Sequence, residues 1–501
     1  MRTRHAAAVV LLALAARAPM SAFSADSGEE QTTRGFENRD AHVRIGFERL
    51  TFPHDEHVGL IGTSYLVDVK GTGGLSVGPA VYGAIAGKRG GFFTFGAEAA
   101  WHRRVLGPFG VELGLYAGGG GGSGSPQGGG LMLRPHADLL WEIGSYAVGV
   151  SLAKVKFPSG QIDSTQWGLV LNAATDFTFV PAKRLDASAA ASRRTGIGFD
   201  RVQIIVSNYR TRSRTTLIDG AAQPRDIPTL GVRTEQNIGQ NTYWGLEAGG
   251  AAQSVVSGYA EYLGTIGFEG EVIRNQLNLG GRLALGMAGG GGIRVGGGLL
   301  AKAAVYGVLR ASNDVGISIE AGIADAPRGE FRAASVSAAV VWALDGPDGD
   351  GVQTRPVRTD FSAGLEQFDA ARSDGSSRKL AADVLKVDRF LSPNSYLSGQ
   401  VHSAISGGAG GYSAALIGAG WLQPLAPRWH VGVELLAGAS GGGAVASRGI
   451  VFEPVVYAGF QIGPTVAVRI GGGRVKALRG PLKSNVADIS LTASYGVSGG
   501  S

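Results

Sequence analysis

The chain has 501 residues, 83 of them glycine, no cysteine and a formal charge of +6. The missing cysteines exclude disulfide staples and thiolate metal sites, and basic residues this dispersed exclude a nucleic-acid-binding stripe. Low-complexity disorder is one source of abundant glycine, but most glycines here lie inside alternating patterns beside Leu, Val, Phe and Trp, which disorder does not require.

Arg2 and Arg4 precede an apolar run, Ala6 to Ala16, and a stretch of small residues ending near Ala25, which is the order of a secretory signal over residues 1–25. Cleavage after Ser24 sets Ala22 at the minus-three position. The removed segment carries Arg2, Arg4 and Arg17 and no acid, so the charge falls from +6 to +3. Residues 26–41 read as a periplasmic N-terminal segment, and no later apolar stretch is long enough for a transmembrane helix.

Three blocks follow, His42 to Phe177, Phe199 to Leu344 and Thr359 to Val497 (42–177, 199–344 and 359–497), each with about eight strand-like segments. The joints, Val180 to Gly198 and Asp345 to Thr354, are rich in Ala, Ser and Arg and in Asp-Gly, and read as solvated turns. In the first block Phe93, Phe95, Ala97, Ala99 and Trp101 share one face, and Thr94, Gly96, Glu98 and Ala100 the other. Phe109 to Glu142 then alternates Val111, Leu113 and Leu115 against Glu112, Gly114 and Tyr116, and recurs at Trp429 to Gln461. Both copies begin Gly-Val-Glu-Leu (Gly110 to Leu113, Gly432 to Leu435), and a fainter copy runs from Gln276 to Arg310. This alignment sets Glu112 and Glu434 level with Arg282, and Arg134 and Lys302 level with Glu453.

A soluble sandwich also alternates, but its inner faces need bulky residues to fill a core. Here the apolar face is continuous and often ends in an aromatic, as at Trp101, Trp141 and Phe460, while the other face mixes Gly, Ser, Tyr and both signs of charge. Those residues resemble Gram-negative outer-membrane β-barrel proteins, porin-like in kind, over essentially the whole mature chain. The resemblance implies an all-β, antiparallel transmembrane barrel in the outer membrane, inserted by the barrel-assembly machinery and surrounded by lipid and lipopolysaccharide. Such proteins commonly end on an aromatic, whereas the last strand here, Ala487 to Val497, carries Tyr495 and runs on into a Ser-Gly-Gly-Ser tail. Three internal repeats of about eight strands predict one barrel of about 24 strands, with tandem eight-stranded barrels as the alternative.

With both termini periplasmic, the glycine-rich segments Gly118 to Gly130, Gly289 to Gly298 and Gly441 to Gly449 fall at extracellular loops, either flexible and exposed or folded inward as a constriction. The turns Glu142 to Tyr146, Arg310 to Asp314 and Gln461 to Pro464 fall at the periplasm. The charges on the inward parity are Glu98, Glu112, Arg134, His136, Asp138 and Glu142, then Arg282, Lys302 and Arg310, then Glu434 and Glu453. They serve either as pairs across a narrow lumen or as the lining of a wide one. Lys154 and Lys156 align with Arg474 and Lys476 on the outward parity at the external rim, where they either pair with lipopolysaccharide phosphates or are simply solvated.

Signals for chemistry are weak. His54-Asp55-Glu56-His57 lies in a turn without further metal ligands, and Asp348-Gly349-Asp350-Gly351 lacks the closing Glu of a calcium loop. His136 beside Asp138 has no nucleophile that the sequence places nearby. The expectation is therefore no enzyme, no catalytic or metal site and no cofactor. The leading function is a pore or channel for small polar solutes or an exported polymer; the alternative is a structural or surface-interaction protein without an open pore, and a membrane-embedded hydrolase is the third and least favoured reading.

Overall fold

The computed structural model describes residues 36–185, 189–190, 194–211, 215–253, 255–312, 314–344, 353–354 and 356–498. Apart from two two-residue strands, the alternating segments form strands of 10 to 19 residues, enough to cross a bilayer at a tilt. The first eight are β1 (Glu37–Phe52), β2 (Glu56–Asp68), β3 (Leu75–Ala86), β4 (Phe93–Leu106), β5 (Phe109–Gly121), β6 (Met132–Ile143), β7 (Tyr146–Lys156) and β8 (Asp163–Pro181). After the short β9 (Ala189–Ala190) come β10 (Arg201–Thr211), β11 (Asp226–Asn237), β12 (Thr242–Ala251), β13 (Ala260–Ile273), β14 (Leu277–Gly289), β15 (Leu299–Arg310), β16 (Val315–Asp325) and β17 (Arg332–Ala343). After β18 (Gln353–Thr354) come β19 (Pro356–Ala371), β20 (Ser377–Phe390), β21 (Ser395–Ala404), β22 (Ser413–Ala426), β23 (Trp429–Gly441), β24 (Gly449–Gln461), β25 (Val466–Ala477) and β26 (Lys483–Ser498).

All the long ladders are antiparallel, and they close three times. β1 pairs with β2 and, from Glu37↔Phe179 to Glu48↔Gly168, with β8. β10 pairs with β11 and β17, and β19 with β20 and β26. The single barrel of about 24 strands is thereby corrected: β8 returns to β1 instead of continuing into β10. A two-residue ladder, Tyr495↔Pro181 and Gly496↔Val180, joins the first and third rings into one 16-stranded sheet, and the second ring stands as a closed eight-stranded barrel. The linker strands β9 and β18 pair with each other.

Eight tilted strands enclose a space that side chains can fill. Inward glycines make room for large rings on the neighbouring strand. A Cβ on Gly432 would stand 2.3 Å from the Tyr457 ring, and one on Gly420 2.2 Å from Tyr396. The opposite parity faces outward and is exposed and apolar, as at Leu113, Leu139, Leu169, Leu283, Ile319, Val336, Leu435, Val456, Ile489 and Leu491. Phe109, Trp141, Phe268, Trp421 and Trp429 sit at its lower edge, where aromatics favour a membrane interface. No helix among the described residues is long and apolar enough to cross a membrane, a criterion that says nothing of strands.

The three barrels dock cyclically through their upper connections. The β3–β4 connection of the first reaches the second, where Gly90 N donates to Gly296 O at 3.0 Å. The β12–β13 connection of the second reaches the third, with Ser257 Oγ donating to Ser440 O at 3.0 Å. The β21–β22 connection of the third reaches the first, where Gly411 N donates to Gly120 O at 2.9 Å and Gln127 Nε2 donates to Gly410 O at 2.8 Å. The glycine-rich segments are thus not free extracellular loops: their glycines are built into the seams between barrels, while Ile293 and Val295 fold inward against Tyr209 and Phe331 in the second barrel and Val445 against Phe368 and Tyr412 in the third. Where the three outer walls meet, Ile61, Phe93 and Phe95 of the first pack with Met287 and Tyr262 of the second and Val401 of the third, forming an apolar core. The Tyr262 ring centroid lies 5.2 Å from Phe93 and 4.7 Å from Phe95. At the lower end Phe177 and Phe179 hold Tyr495 at 5.4 and 4.9 Å.

One seam glycine is required on two counts. Gly91 has φ +95°, and a Cβ there would stand 2.2 Å from Gly290 N. Gly91→Ala is expected to destabilise the junction by about 1–3 kcal/mol or more through the strained backbone alone, with the clash added. Hydrogen exchange at residues 287–298 will rise while the β1–β8 ladder stays protected. Unchanged exchange at that seam would overturn the docking described.

Candidate functional site

The three lumens collect the ionisable side chains, because inward parity puts charge where lipid cannot reach it. In the first barrel Arg44 of β1 is fully buried. Its Nε and Nη2 donate to Asp138 Oδ2 at 3.0 and 2.7 Å, and its guanidinium lies 3.3 Å from Glu112 and 3.9 Å from Glu98. His136 joins two of these acids, with Nε2 3.0 Å from Glu98 and Nδ1 3.1 Å from Asp138. Ser64 and Tyr82 donate to the other Glu98 oxygen at 2.6 and 2.9 Å. Arg134 donates to Glu48 at 3.0 and 3.2 Å.

The second barrel carries a ladder of alternating sign. Arg201 pairs with Glu235 and Glu269, and Arg282 with Glu235 and Glu320. Arg233 bridges Glu320 and Glu247 at 3.4 and 2.6 Å, and Lys302 bridges Glu247 and Glu261 at 2.5 and 3.1 Å. Tyr209 and Tyr259 close the series by donating to Glu261 at 2.8 and 2.9 Å. In the third barrel Glu434 accepts from Arg469 at 2.8 and 2.7 Å, from Tyr396 at 2.6 Å and from Lys386, which also meets Asp388 at 2.9 Å.

Of the residues singled out by parity, Glu98, Glu112, Arg134, His136, Asp138, Arg282, Lys302, Glu434 and Glu453 lie in the lumens. Glu142 and Arg310 do not. Both extend their strand's inward parity past the lumen, Glu142 to the lower mouth with Arg104 and His102, and Arg310 to exposed solvent. Lys154 and Lys156 are exposed at the upper rim, 3.2 and 3.8 Å from Asp163, while Arg474 and Lys476 are exposed on the third barrel. Sequence reading missed Arg44 and Glu48, although the alternation Arg44-Ile45-Gly46-Phe47-Glu48 carries the signal. It also missed most of the second ladder, including Arg201, Arg233, Glu235, Glu247, Glu261, Glu269 and Glu320.

The match between the two Gly-Val-Glu-Leu segments needs a second correction. Ala84 N donates to Phe92 O and Ala404 N to Tyr412 O, both at 3.0 Å, which sets Phe93 level with Ser413. These residues face Gly121 and Gly441 across their ladders. Counting down from there, Glu434 is level with Gly114, and Glu112 with Gly432. The same count from Ala260↔Gly289 keeps Arg282 level with Glu434. A slip of two residues leaves every side chain on its face, so alternation alone cannot detect it.

Two clusters have the donor spacing of a metal site: Glu112, His136 and Asp138, and Glu366, His402 and Glu453, each with ligand atoms within 4.8 Å of one another. In the first, the Arg44 guanidinium already lies against both acids. In the second, His402 Nδ1 lies 3.3 Å from Glu366, and no lysine or arginine joins them among the described residues. His54 and His57 join neither cluster: Glu56 between them pairs with Arg89, and His57 meets Thr51. Asp348 to Gly351 lie outside the described residues. With both ring nitrogens of His136 against carboxylates, this imidazole is not placed to activate a serine.

No family model matches the chain, and no curated protein matches it in sequence. Among solved structures it is similar to the Pseudomonas aeruginosa protein OccK11 (OpdR), with TM-score 0.22 and 11% identity over 92% of this chain and 96% of that one. It is also similar to Pseudomonas aeruginosa OpdK with vanillate, at TM-score 0.22 and 10% identity over 91% and 98%. A third is a mutant ferric enterobactin receptor from Pseudomonas aeruginosa, at TM-score 0.28 and 8% identity over 91% and 81%. Scores this low carry no argument about what the chain does. The outward apolar band, the inward charges and the closed ladders make it a porin-like β-barrel protein of the outer-membrane type.

The lumen charges hold one another, and removing one partner is costly. Arg44→Met leaves Glu98, Glu112 and Asp138 facing one another with only the imidazoles of His136, His42 and His102 beside them. It is expected to lower stability by about 3–5 kcal/mol in urea unfolding of the micelle-embedded protein. A loss below about 1 kcal/mol, the range of exposed pairs, would show that the network does not depend on this guanidinium.

Proposed function

We propose that the protein is a closed, structural element of the Gram-negative outer membrane, with three lumens filled by side chains and an outer rim that meets the surrounding lipopolysaccharide. One observation carries this reading: the charged residues that would line a pore are almost wholly buried, paired across the first two barrels and, in the third, gathered on Glu434 with Arg469 and Lys386. Arg44, Arg134, Glu112 and Glu434 are all at most 1% exposed.

An even number of strands returns both ends of each barrel to one side, and with an exported chain that side is the periplasm. The upper, glycine-sealed end then faces outward, and the final strand β26 is the one offered to the barrel-assembly machinery. Three barrels with the same cyclic docking support an origin by duplication of one eight-stranded unit.

A channel for small polar solutes or an exported polymer is the second reading, and the ladder in the second barrel favours it. Arg282 and Arg233 each already touch two acids, so re-pairing could open a charged path without leaving any group unpaired. Planar-bilayer recording separates the two. The closed reading expects no steady conductance from the native protein, and discrete openings from Arg233→Ala/Arg282→Ala. Steady, charge-selective conductance of the native protein would overturn it in favour of the channel.

A further inference from the structure

The upper rim is not alike on the three barrels. On the first, Lys154 and Lys156 share Asp163, and Arg89 pairs with Glu56 at 2.5 Å. On the second, Arg332 meets Asp325 at 3.2 Å. On the third, Arg474 and Lys476 project outward from β25, Lys483 from β26 and Lys379 from β20, with Arg378 and Arg479 beside them, and all six are exposed. Among the described residues, the ion pairs of this barrel use Arg358, Lys386, His402 and Arg469, and none uses a member of the rim.

Two acids share this rim. Asp369 lies across the ladder from Lys379, and Asp374 is held below the usual carboxylate range by the hydroxyl and N–H of Ser376. These six cations against the two acids leave a net of +4, and Arg448 of the β23–β24 connection, exposed at the same end, adds to it. Lys476 and Lys483 are moreover direct ladder partners on the outward face. Like charges opposite one another are unfavourable unless an anion lies between them. Four residues down β25 from Arg474, roughly 13 Å along the strand, Ile470 belongs to the exposed apolar band, as do Ile489 and Leu491 on β26. The cations thus stand at headgroup height.

We infer that the third barrel's outer rim is a binding surface for the phosphates of lipopolysaccharide, and that the first barrel's matching lysines are not. The assignment rests on the outward orientation of the upper end in the function proposed above. Multiple phosphates on a rigid glycolipid suit a fixed array of lysines and arginines better than scattered single charges do.

The test uses the full chain in phosphatidylcholine nanodiscs, titrated separately with purified deep-rough lipopolysaccharide, phosphatidylglycerol and inorganic phosphate. The expected result is preferential binding of lipopolysaccharide, weakened about tenfold or more in Lys379→Gln/Arg474→Gln/Lys476→Gln/Lys483→Gln and unchanged in Lys154→Gln/Lys156→Gln. Equal loss in the two variants, no loss in the first, or equal binding of phosphatidylglycerol would each overturn the inference. Inorganic phosphate binding as tightly as the glycolipid would also overturn it, reducing the rim to a free-anion site. Insertion and conductance of the same variants are recorded in parallel. A rim that fails to bind in a protein that still inserts and stays closed removes this inference and leaves the closed-barrel reading standing.

Discussion

Everything in this molecule follows from where the backbone ladder closes. A strand in hydrocarbon must give each N–H and C=O a partner, and only a ring of strands does so without leaving an edge. Here the ring closes after eight, by β1 on β8, β10 on β17 and β19 on β26. That choice fixes the lumen at a width side chains can span, and a lumen of that width cannot hold a charge in bulk water. Each inward carboxylate of the first two barrels must therefore find a donor on another strand, and the Arg44, Arg134 and Arg282 networks are the outcome.

Closure at eight also creates a second problem, since three small cylinders in one chain have convex walls that touch along narrow lines. The glycine-rich segments solve it. Their missing side chains let the backbone of one barrel approach that of the next, as where Gly411 N reaches Gly120 O, and the bulk that glycine lacks is supplied lower down by Phe93, Phe95, Tyr262 and Met287. The linker strands β9 and β18, together with Tyr495 of β26 against Phe177 and Phe179, tie the opposite end.

The sequence made one level of this plain and concealed another. Period-two alternation reveals which face a residue takes, so the inward Glu98, Arg134 and Asp138 and the outward Leu113 and Leu139 are legible from parity, as Arg44 and Glu48 also were. Register and closure are not. Gly-Val-Glu-Leu aligns perfectly as text yet sits two residues apart in the ladders, because sliding by two changes neither face nor composition. Likewise, one ring of 24 and three rings of eight share nearly every hairpin contact. They differ only in whether β8 meets β10 or β1, a choice between distant strands that no local pattern records.

A geometry shared by three barrels leaves their electrostatics free to differ, provided each lumen is balanced by its own means. Level with Arg134, which meets Glu48 in the first barrel, and with Lys302, which meets Glu247 and Glu261 in the second, the third barrel has Glu453 beside Glu366 and His402. Two carboxylates and an imidazole stand where the other barrels have a fixed cation. The seams diverge in the same way: Ile61 and Gly83 face Met287 between the first and second barrels, but the corresponding pair between the third and first is Asp383 and Ser403, with Gly119 N donating to the carboxylate at 3.3 Å. A single polar exchange of this kind is tolerable because the glycine at 119 exposes its amide to the acid; Met287, at the same level in the second barrel, would cover it. The third barrel is therefore the one whose inner and outer walls both depart from the shared scheme, while its ladders, which the membrane does not allow to vary, remain the same.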